Sequence, residues 1–428
     1  MRSARVLGVV ASIVLGVAAV GGQTPAKQAP AKAPAKAAAP TKPLEIYIVD
    51  VEGGKADLYV LPSGETVLID AGNPGTRDAD RIQEVMTAAG VTKIDYMLLT
   101  HYHVDHVGGV LELAKRLPPV GTFIDHGPTV EGGVDLGQQR EQVAGFQASY
   151  AELYTRAKHL VVKPGDKLPI PGIDWRIATA GGKVVKTPLV PGAGKPNPAC
   201  ANVTRPVVER DPENGQSVGS VITFGQFRAL DFGDLTRDIE FDLMCPANPI
   251  GTIDMFRASN HGTNNANSPM LLHGVRPRIA IAQNNPGKGA SVDYFTALRT
   301  SADFEDSWQL HWGNAAGVEH NAPGVFIANG VDAAAIATAL TAPPRGGGGG
   351  RGAGGAPPAA AAAAPPAAAV PGVPGVPGVP GGPGRGGGGG AAAHTPAYWI
   401  RVTVQSNGNF TVTNSRNSFT KTYVHRAR

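Results

Sequence analysis

The chain has 428 residues, with 38 Lys+Arg against 34 Asp+Glu and two cysteines. That length allows one large or two ordinary domains once biased segments are set aside, and neither cysteine has zinc-thiolate spacing, which excludes a thiolate metal site. All 34 acidic residues fall in 44–341 beside only 24 Lys+Arg, so this block is net −10 and the flanks alone make the chain basic; global charge gives nucleic-acid binding no support.

Residues 1–22 carry Arg2 and Arg5, then an apolar 6–20 run ending in small residues, the pattern of a secretory signal peptide. The run is short for a membrane span and no other stretch qualifies. The expected location is secreted or periplasmic, with an uncleaved membrane anchor as the alternative. Residues 23–43 are Ala, Pro and Lys with nothing to bury and read as a disordered tether.

In the body, 44–49, 58–61 and 66–69 alternate as strands, the third ending in Asp70-Ala71-Gly72. Residues 78–89 have helical spacing with Gly90 as the stop. The apolar run Tyr96-Met97-Leu98-Leu99 reads as a buried strand, followed by a helix over 110–117. A strand at 122–124 ends in Asp125-His126-Gly127-Pro128, and 141–160 looks helical, which puts His159 on a helix surface. A strand at 175–178 precedes 181–216, rich in Gly, Pro and Asn and read as a loop near a site entrance. Strands 220–224 and 227–232 form a hairpin ending in Gly233-Asp234, and a strand from 253 ends in Asn260-His261-Gly262-Thr263. This β–α–β alternation, with polar chemistry at strand ends, fits an α/β layer architecture. Residues 342–395 form a Gly/Pro/Ala insert with repeated Val-Pro-Gly units. A hairpin around Asn407-Gly408 follows, so 396–428 is expected to close the domain begun at 44. With that hairpin included the domain is net −5.

The chemistry concentrates in His101-Tyr102-His103-Val104-Asp105-His106, directly after the buried strand. Neutral imidazole and carboxylate are ligands for zinc. Residues two apart in an extended segment point the same way, so His101 and His103 can chelate one ion, while Asp105 and His106 on the turn into a helix serve a second. Gly108 and Gly109 leave room for backbone packing behind them.

These residues resemble the metallo-β-lactamase fold family, whose signature is H-x-H-x-D-H; all four signature positions match. Within it the chain is most similar to the ComEC-type competence-protein hydrolase branch. Its D-V-G-Q-G-D-A turn is matched by Asp50-Val51-Glu52-Gly53-Gly54-Lys55-Ala56, with Glu52 and Lys55 as departures. Its L-I-D-x-G is matched at Leu68-Ile69-Asp70-Ala71-Gly72, and its N-x-x-S lead-in at Asn214 with Ser217 or Ser220.

The resemblance implies an αββα sandwich holding one or two zinc ions, with manganese or iron as alternatives. It assigns His101 and His103 to a first metal, and Asp105, His106 and His261 to a second. Asp234 is the bridging carboxylate, with Asp231 as its competitor. Asp70 would support the metal loop by hydrogen bonds. Asn260 stands where the branch often has a first His and can hydrogen-bond substrate, but it is no general base. For a third imidazole at the first metal, 107–233 offers only His126 and His159. His126, at a strand end, is the candidate, and a site completed by water is the alternative. His311 and His320 fall where substrate-side loops lie and are candidates to stabilise a leaving group or oxyanion.

The implied activity is hydrolysis by a metal-activated hydroxide, with Asp105 both ligating metal and orienting the nucleophile. A phosphodiester is the leading substrate, a lactone, thioester or β-lactam the alternative, and nucleic acid a partner the domain charge does not favour. The competing class is a non-catalytic metal-binding cell-surface module, favoured by the missing third imidazole and by Asn260. Cys200 and Cys245 can pair in an exported protein, but sequence does not bring them together. Oligomeric state is not legible.

Overall fold

A computed structural model describes residues 42–129, 138–208, 212–331 and 394–427, with backbone alone for 138–142. The expected signal segment and nearly all of the tether and insert lie outside these residues. The first strands are β1 (Leu44–Ile48), β2 (Asp57–Val60), β3 (Thr66–Ile69), β4 (Tyr96–Leu98), β5 (Thr122–Asp125) and β6 (Lys158–Val161). Next come β7 (Asp174–Ala180), β8 (Lys183–Val184), β9 (Lys195–Pro196), β10 (Gly219–Phe224), β11 (Phe227–Asp231), β12 (Ala247–Asn248) and β13 (Met255–Arg257). The chain ends with β14 (Ile279–Ala282), β15 (Asp306–His311), β16 (Ile327–Asn329), β17 (Ile400–Val404), β18 (Phe410–Asn414) and β19 (Thr420–Tyr423).

One sheet has the order β19-β18-β17-β1-β2-β3-β4-β5-β6, and a second has β16-β15-β14-β13-β11-β10-β7-β8. β3 to β6 run parallel in the first sheet, as do β11 and β13 to β16 in the second. Strand alternation sorts the apolar residues into three layers of core. Ile46, Tyr59 and Ile69 face Trp175, Ile222 and Ile281 between the sheets. On the outer face of the first sheet, Tyr47, Leu58 and Met97 pack against α1 (Thr76–Ala88), α2 (Val104–Val107) and α3 (Val110–Arg116) through Ile82, Val107 and Leu113. Tyr150 of α4 (Gln138–Leu153) joins the same layer. On the outer face of the second, Leu230 and Phe256 meet α5 (Arg237–Met244), α6 (Pro269–Val275) and α7 (Val292–Arg299) through Leu243, Leu271 and Leu298. The result is the αββα sandwich.

A buried ionic bridge crosses between the sheets. Lys55 Nζ lies 2.9 Å from Asp231 Oδ2 and 3.3 Å from Asp57 Oδ2, while Arg257 Nε and Nη2 donate to Asp57 at 3.0 and 3.1 Å. Two cations and two carboxylates balance there, so Lys55, a departure from the branch's turn, is a core residue. It also removes Asp231 from the competition for the bridging position.

Three expectations are corrected. The helix expected to 160 ends at Leu153, and Lys158–Val161 is an edge strand beside β5. His159 is therefore on a strand, with Nε2 2.7 Å from Asp125 Oδ2. The C-terminal hairpin is part of a three-stranded addition, because Thr420–Tyr423 extends it; only Tyr423 there is buried, so the apolar signal was thin. β17 pairs with β1 and so joins the far end of the chain to the first sheet. Cys200 and Cys245, left open by the sequence, are bonded to each other. No helix among the described residues is long and apolar enough to cross a membrane.

Candidate metal centre

Residues just past the carboxyl ends of β3, β4, β11 and β13 meet at one place, where ligand sites of α/β sheets lie. His101 and His103 follow β4, and His101 Nε2 lies 3.1 Å from His103 Nδ1. The chain then turns into α2, which carries Asp105 and His106. The turn packs closely on the loop after β3: a Cβ on Gly109 would lie 2.0 Å from the Ala71 carbonyl oxygen, so only glycine fits.

Asp70 is held behind this loop at φ 58°. Its Oδ1 accepts from Thr100 N at 2.8 Å, and its Oδ2 accepts from Thr100 Oγ1 at 2.7 Å and meets His106 Nδ1 at 2.8 Å. With Nδ1 so engaged, His106 Nε2 faces the site. It lies 3.3 Å from Asp234 Oδ1 and 3.7 Å from Asp105 Oδ2. His261 arrives from the turn after β13, with Nδ1 3.1 Å from the Gln283 carbonyl oxygen. Its Nε2 lies 3.2 Å from Asp234 Oδ2 and 3.3 Å from Asp105 Oδ2. Asn260 and His261 occupy successive left-handed conformations, φ 47° and 55°, each costing on the order of 1–3 kcal/mol. The Asp234 amide donates to Ser217 Oγ, whereas Ser220 Oγ is engaged by Trp175, so Ser217 is the lead-in serine at the site.

Among the described residues, His101, His106 and Asp234 bring ligand atoms within 4.8 Å of one another, and so do Asp105, His106 and His261. His106 Nε2, His261 Nε2 and Asp234 Oδ1 are buried and complete no hydrogen bond. Burying such atoms without partners is costly, and imidazole nitrogens with carboxylate oxygens are a donor set for a divalent transition metal. The residues fit the ion.

Protonation shows the same crowding. Burial opposes a charge on His106, yet Asp234, Asp105 and Asp70 push its imidazole up to about 10. Burial also opposes ionisation of Asp105 and Asp234. Lys288 and His106 nevertheless hold Asp105, and His261 and His106 hold Asp234, well below the usual carboxylate range. His101 is pushed well below the ordinary imidazole value by burial and by His106 and His103.

The remaining expected residues separate. Neither His103 nor His126 joins either ligand group: His103 Nδ1 lies against His101 Nε2, and His126 Nε2 lies 3.2 Å from Glu213 Oε1. His311 is buried with Nε2 2.8 Å from Asp50 Oδ1, in a different group with Glu52 and His394. There Arg81 reaches both carboxylates at 3.2 and 3.1 Å, and His394, hydrogen-bonded to Asp50 and Glu52, is pushed up to about 9. The group is thus balanced by its own cations. His320, on α8 (Gly317–His320), only caps the Ala316 carbonyl oxygen at 3.2 Å.

Two residues were passed over in the sequence. Lys288 Nζ lies 2.5 Å from Asp105 Oδ2 and 3.1 Å from the Gly53 carbonyl oxygen; a lone lysine in a glycine-rich loop carries no signal. Glu213 is buried, and its Oε1 accepts from the Tyr102 amide at 2.9 Å.

The family model for the metallo-beta-lactamase superfamily matches residues 52–204. Over 63 residues the chain is 38% identical to a metal-dependent hydrolase of Koribacter versatilis, covering 14% of this chain and 24% of that protein. Over 67 residues it is 36% identical to the lactamase-like protein notP of an Aspergillus species, covering 15% and 21%. The chain thus spans under a third of the length of these curated relatives. The metallo-beta-lactamase fold protein YhfI of Bacillus subtilis aligns over 63% of this chain and 96% of its own, with 13% identity and a TM-score of 0.38.

Proposed function

We propose that this chain, whose residues 52–204 match the metallo-beta-lactamase superfamily model, is an exported, two-zinc hydrolase of phosphodiesters, related to the ComEC-type branch. The observation that carries the hydrolytic reading is the convergence of three buried, unsatisfied ligand atoms, His106 Nε2, His261 Nε2 and Asp234 Oδ1, on one space. When bound there, divalent ions lower the pKa of water and polarise a substrate oxygen.

The chain's own residues supply orientation and charge. Asp70 fixes the His106 ring through Nδ1, and the Gln283 carbonyl does the same for His261. Asp234 shares one ligand group with His101 and lies 3.2 Å from His261 Nε2 of the other, which suits it to serve both. Asp105 has two carboxylate oxygens, one to ligate and one to accept a hydrogen from the attacking water and aim it. Asn260, buried beside His261, offers a donor or acceptor to substrate. Lys288 Nζ, 2.5 Å from Asp105, puts a cation at the site, and this favours an anionic phosphodiester over a neutral ester or lactam.

The test is a reporter panel of phosphodiester, lactone and β-lactam on metal-loaded wild type, His103→Ala and Asp105→Ala. Phosphodiester turnover lost in both variants and on chelation is expected. Metal-loaded protein that cleaves none of the three refutes the reading.

A further inference from the structure

Resting on the metal-dependent reading above, we propose that Lys288 is a cation that metal displaces and substrate recruits. Its ammonium and an ion held by Asp105, His106 and His261 draw on one carboxylate oxygen. The ammonium released there binds an anionic oxygen of the substrate. The observation is the crowding on Asp105 Oδ2, which lies 2.5 Å from Lys288 Nζ, 3.3 Å from His261 Nε2 and 3.7 Å from His106 Nε2. Asp105, His106 and His261 form one of the two ligand groups of the centre. An ion ligated by both rings takes its carboxylate oxygen from this same point. A divalent cation and an ammonium on one oxygen repel each other, so each weakens the hold of the other.

The ammonium is the group that yields. The Lys288 side chain is 39% exposed, and its four-carbon stem can swing. Both imidazoles are buried and fixed through Nδ1, His106 by Asp70 and His261 by the Gln283 carbonyl oxygen. The backbone of Lys288 is held in place. Asn285 and Lys288 exchange backbone hydrogen bonds at 3.1 and 3.4 Å, and Asn285 Nδ2 donates to the Glu52 carbonyl oxygen at 3.0 Å. On the other side Ala290 N donates to the His261 carbonyl oxygen at 3.0 Å, and a Cβ on Gly289 would lie 2.1 Å from that oxygen. The stem is thus rooted against the turn that carries His261. An ammonium that leaves Asp105 stays beside this ligand group, with the Gly53 carbonyl oxygen, now at 3.1 Å, as a partner. A phosphate oxygen drawn to the group meets it there through a charge-assisted hydrogen bond. The rival reading keeps Lys288 on Oδ2 as an outer partner that steadies Asp105 while the other oxygen binds metal. The two readings predict opposite signs when the lysine is removed.

The experiment is equilibrium dialysis of the full chain against buffered zinc for wild type, Lys288→Met and Lys288→Gln. Calorimetric titration of each zinc-loaded protein with inorganic phosphate follows, and thermal melting of the chelated proteins reports folding. Lys288→Met is expected to bind zinc at least about threefold more tightly in one step, because a competing, partly exposed ion pair is gone. Its loaded form is expected to bind phosphate at least about 10-fold more weakly, through loss of a hydrogen bond between charged groups. Lys288→Gln, also uncharged, carries the same expectations if Lys288→Met does not fold. Zinc bound more weakly, or unchanged in every step, overturns the proposal, and so does unchanged phosphate binding. Both readouts are equilibria that need no turnover, so a chain that meets them and cleaves no phosphodiester fails the hydrolytic reading alone. Wild type that binds no zinc overturns instead the metal-dependent reading beneath both, a result distinct from any change confined to the Lys288 variants.

Discussion

Replacing Asp70 by asparagine changes one atom and tests how the site is oriented. Asp70 uses both oxygens as acceptors, for Thr100 N, Thr100 Oγ1 and His106 Nδ1, at 2.7–2.8 Å. Asparagine tolerates the left-handed backbone at φ 58°, so the fold is expected to survive. Its amide group, however, must face either the Thr100 amide or His106 Nδ1, and both are donors in the present arrangement. The compliant partner is the imidazole, which can move its proton from Nδ1 to Nε2. That tautomer turns the ligand atom into a donor and closes it to metal. Loss of such an orienting partner lowers metal affinity by about 10- to 100-fold, or about 1.4–2.7 kcal/mol. Competition against a chromophoric chelator measures this directly, and thermal melting of metal-free protein separates it from misfolding. An affinity change below about threefold in a folded Asp70→Asn protein would refute the tautomer argument.

Arg257→Met leaves Asp57 with Lys55 alone in the core and is expected to cost about 3–5 kcal/mol in urea unfolding. Adding Asp57→Asn should recover part of that loss, and a double variant as unstable as the sum of the singles would exclude the coupling. Replacing Cys200 and Cys245 together by serine opens a 45-residue loop and should remove about 4 kcal/mol relative to oxidised wild type, with reduced wild type expected to match the variant. His394, raised to about 9 by Asp50 and Glu52, contributes stability that is fully present below its unfolded value near 6.5 and is lost as pH rises through about 9. His394→Gln should flatten the stability slope between those limits, and an unchanged slope there would show that the pair contributes nothing.

What could be read from the chain follows from how local each signal is. The H-x-H-x-D-H run holds four potential ligands in six residues, and the strand before it has an uninterrupted apolar run, so the element and its chemistry coincide in sequence. Asp234 and His261 were found because each closes a recognisable strand. Glu213 and Lys288 were not, because they reach the site through tertiary contacts with Tyr102 and Asp105 and leave no local pattern. His311 misled for the same reason. A histidine at the end of a strand looked available to substrate, but its partner Asp50 lies 261 positions away. The edge strand Lys158–Val161 and the last strand Thr420–Tyr423 were missed because short edge strands carry few buried apolar residues to set a period.

In the proposed two-ion centre Asp234 stands between the group that holds His101 and the group that holds His261, and both ions are expected to be needed for turnover. Metal-free full-length protein titrated with zinc, with bis(p-nitrophenyl) phosphate hydrolysis followed at each addition, tests this most directly. Activity that rises until two equivalents are bound and then levels off is the expected result. Hydrolysis that persists in chelated protein, or zinc that binds without any hydrolysis, would contradict it.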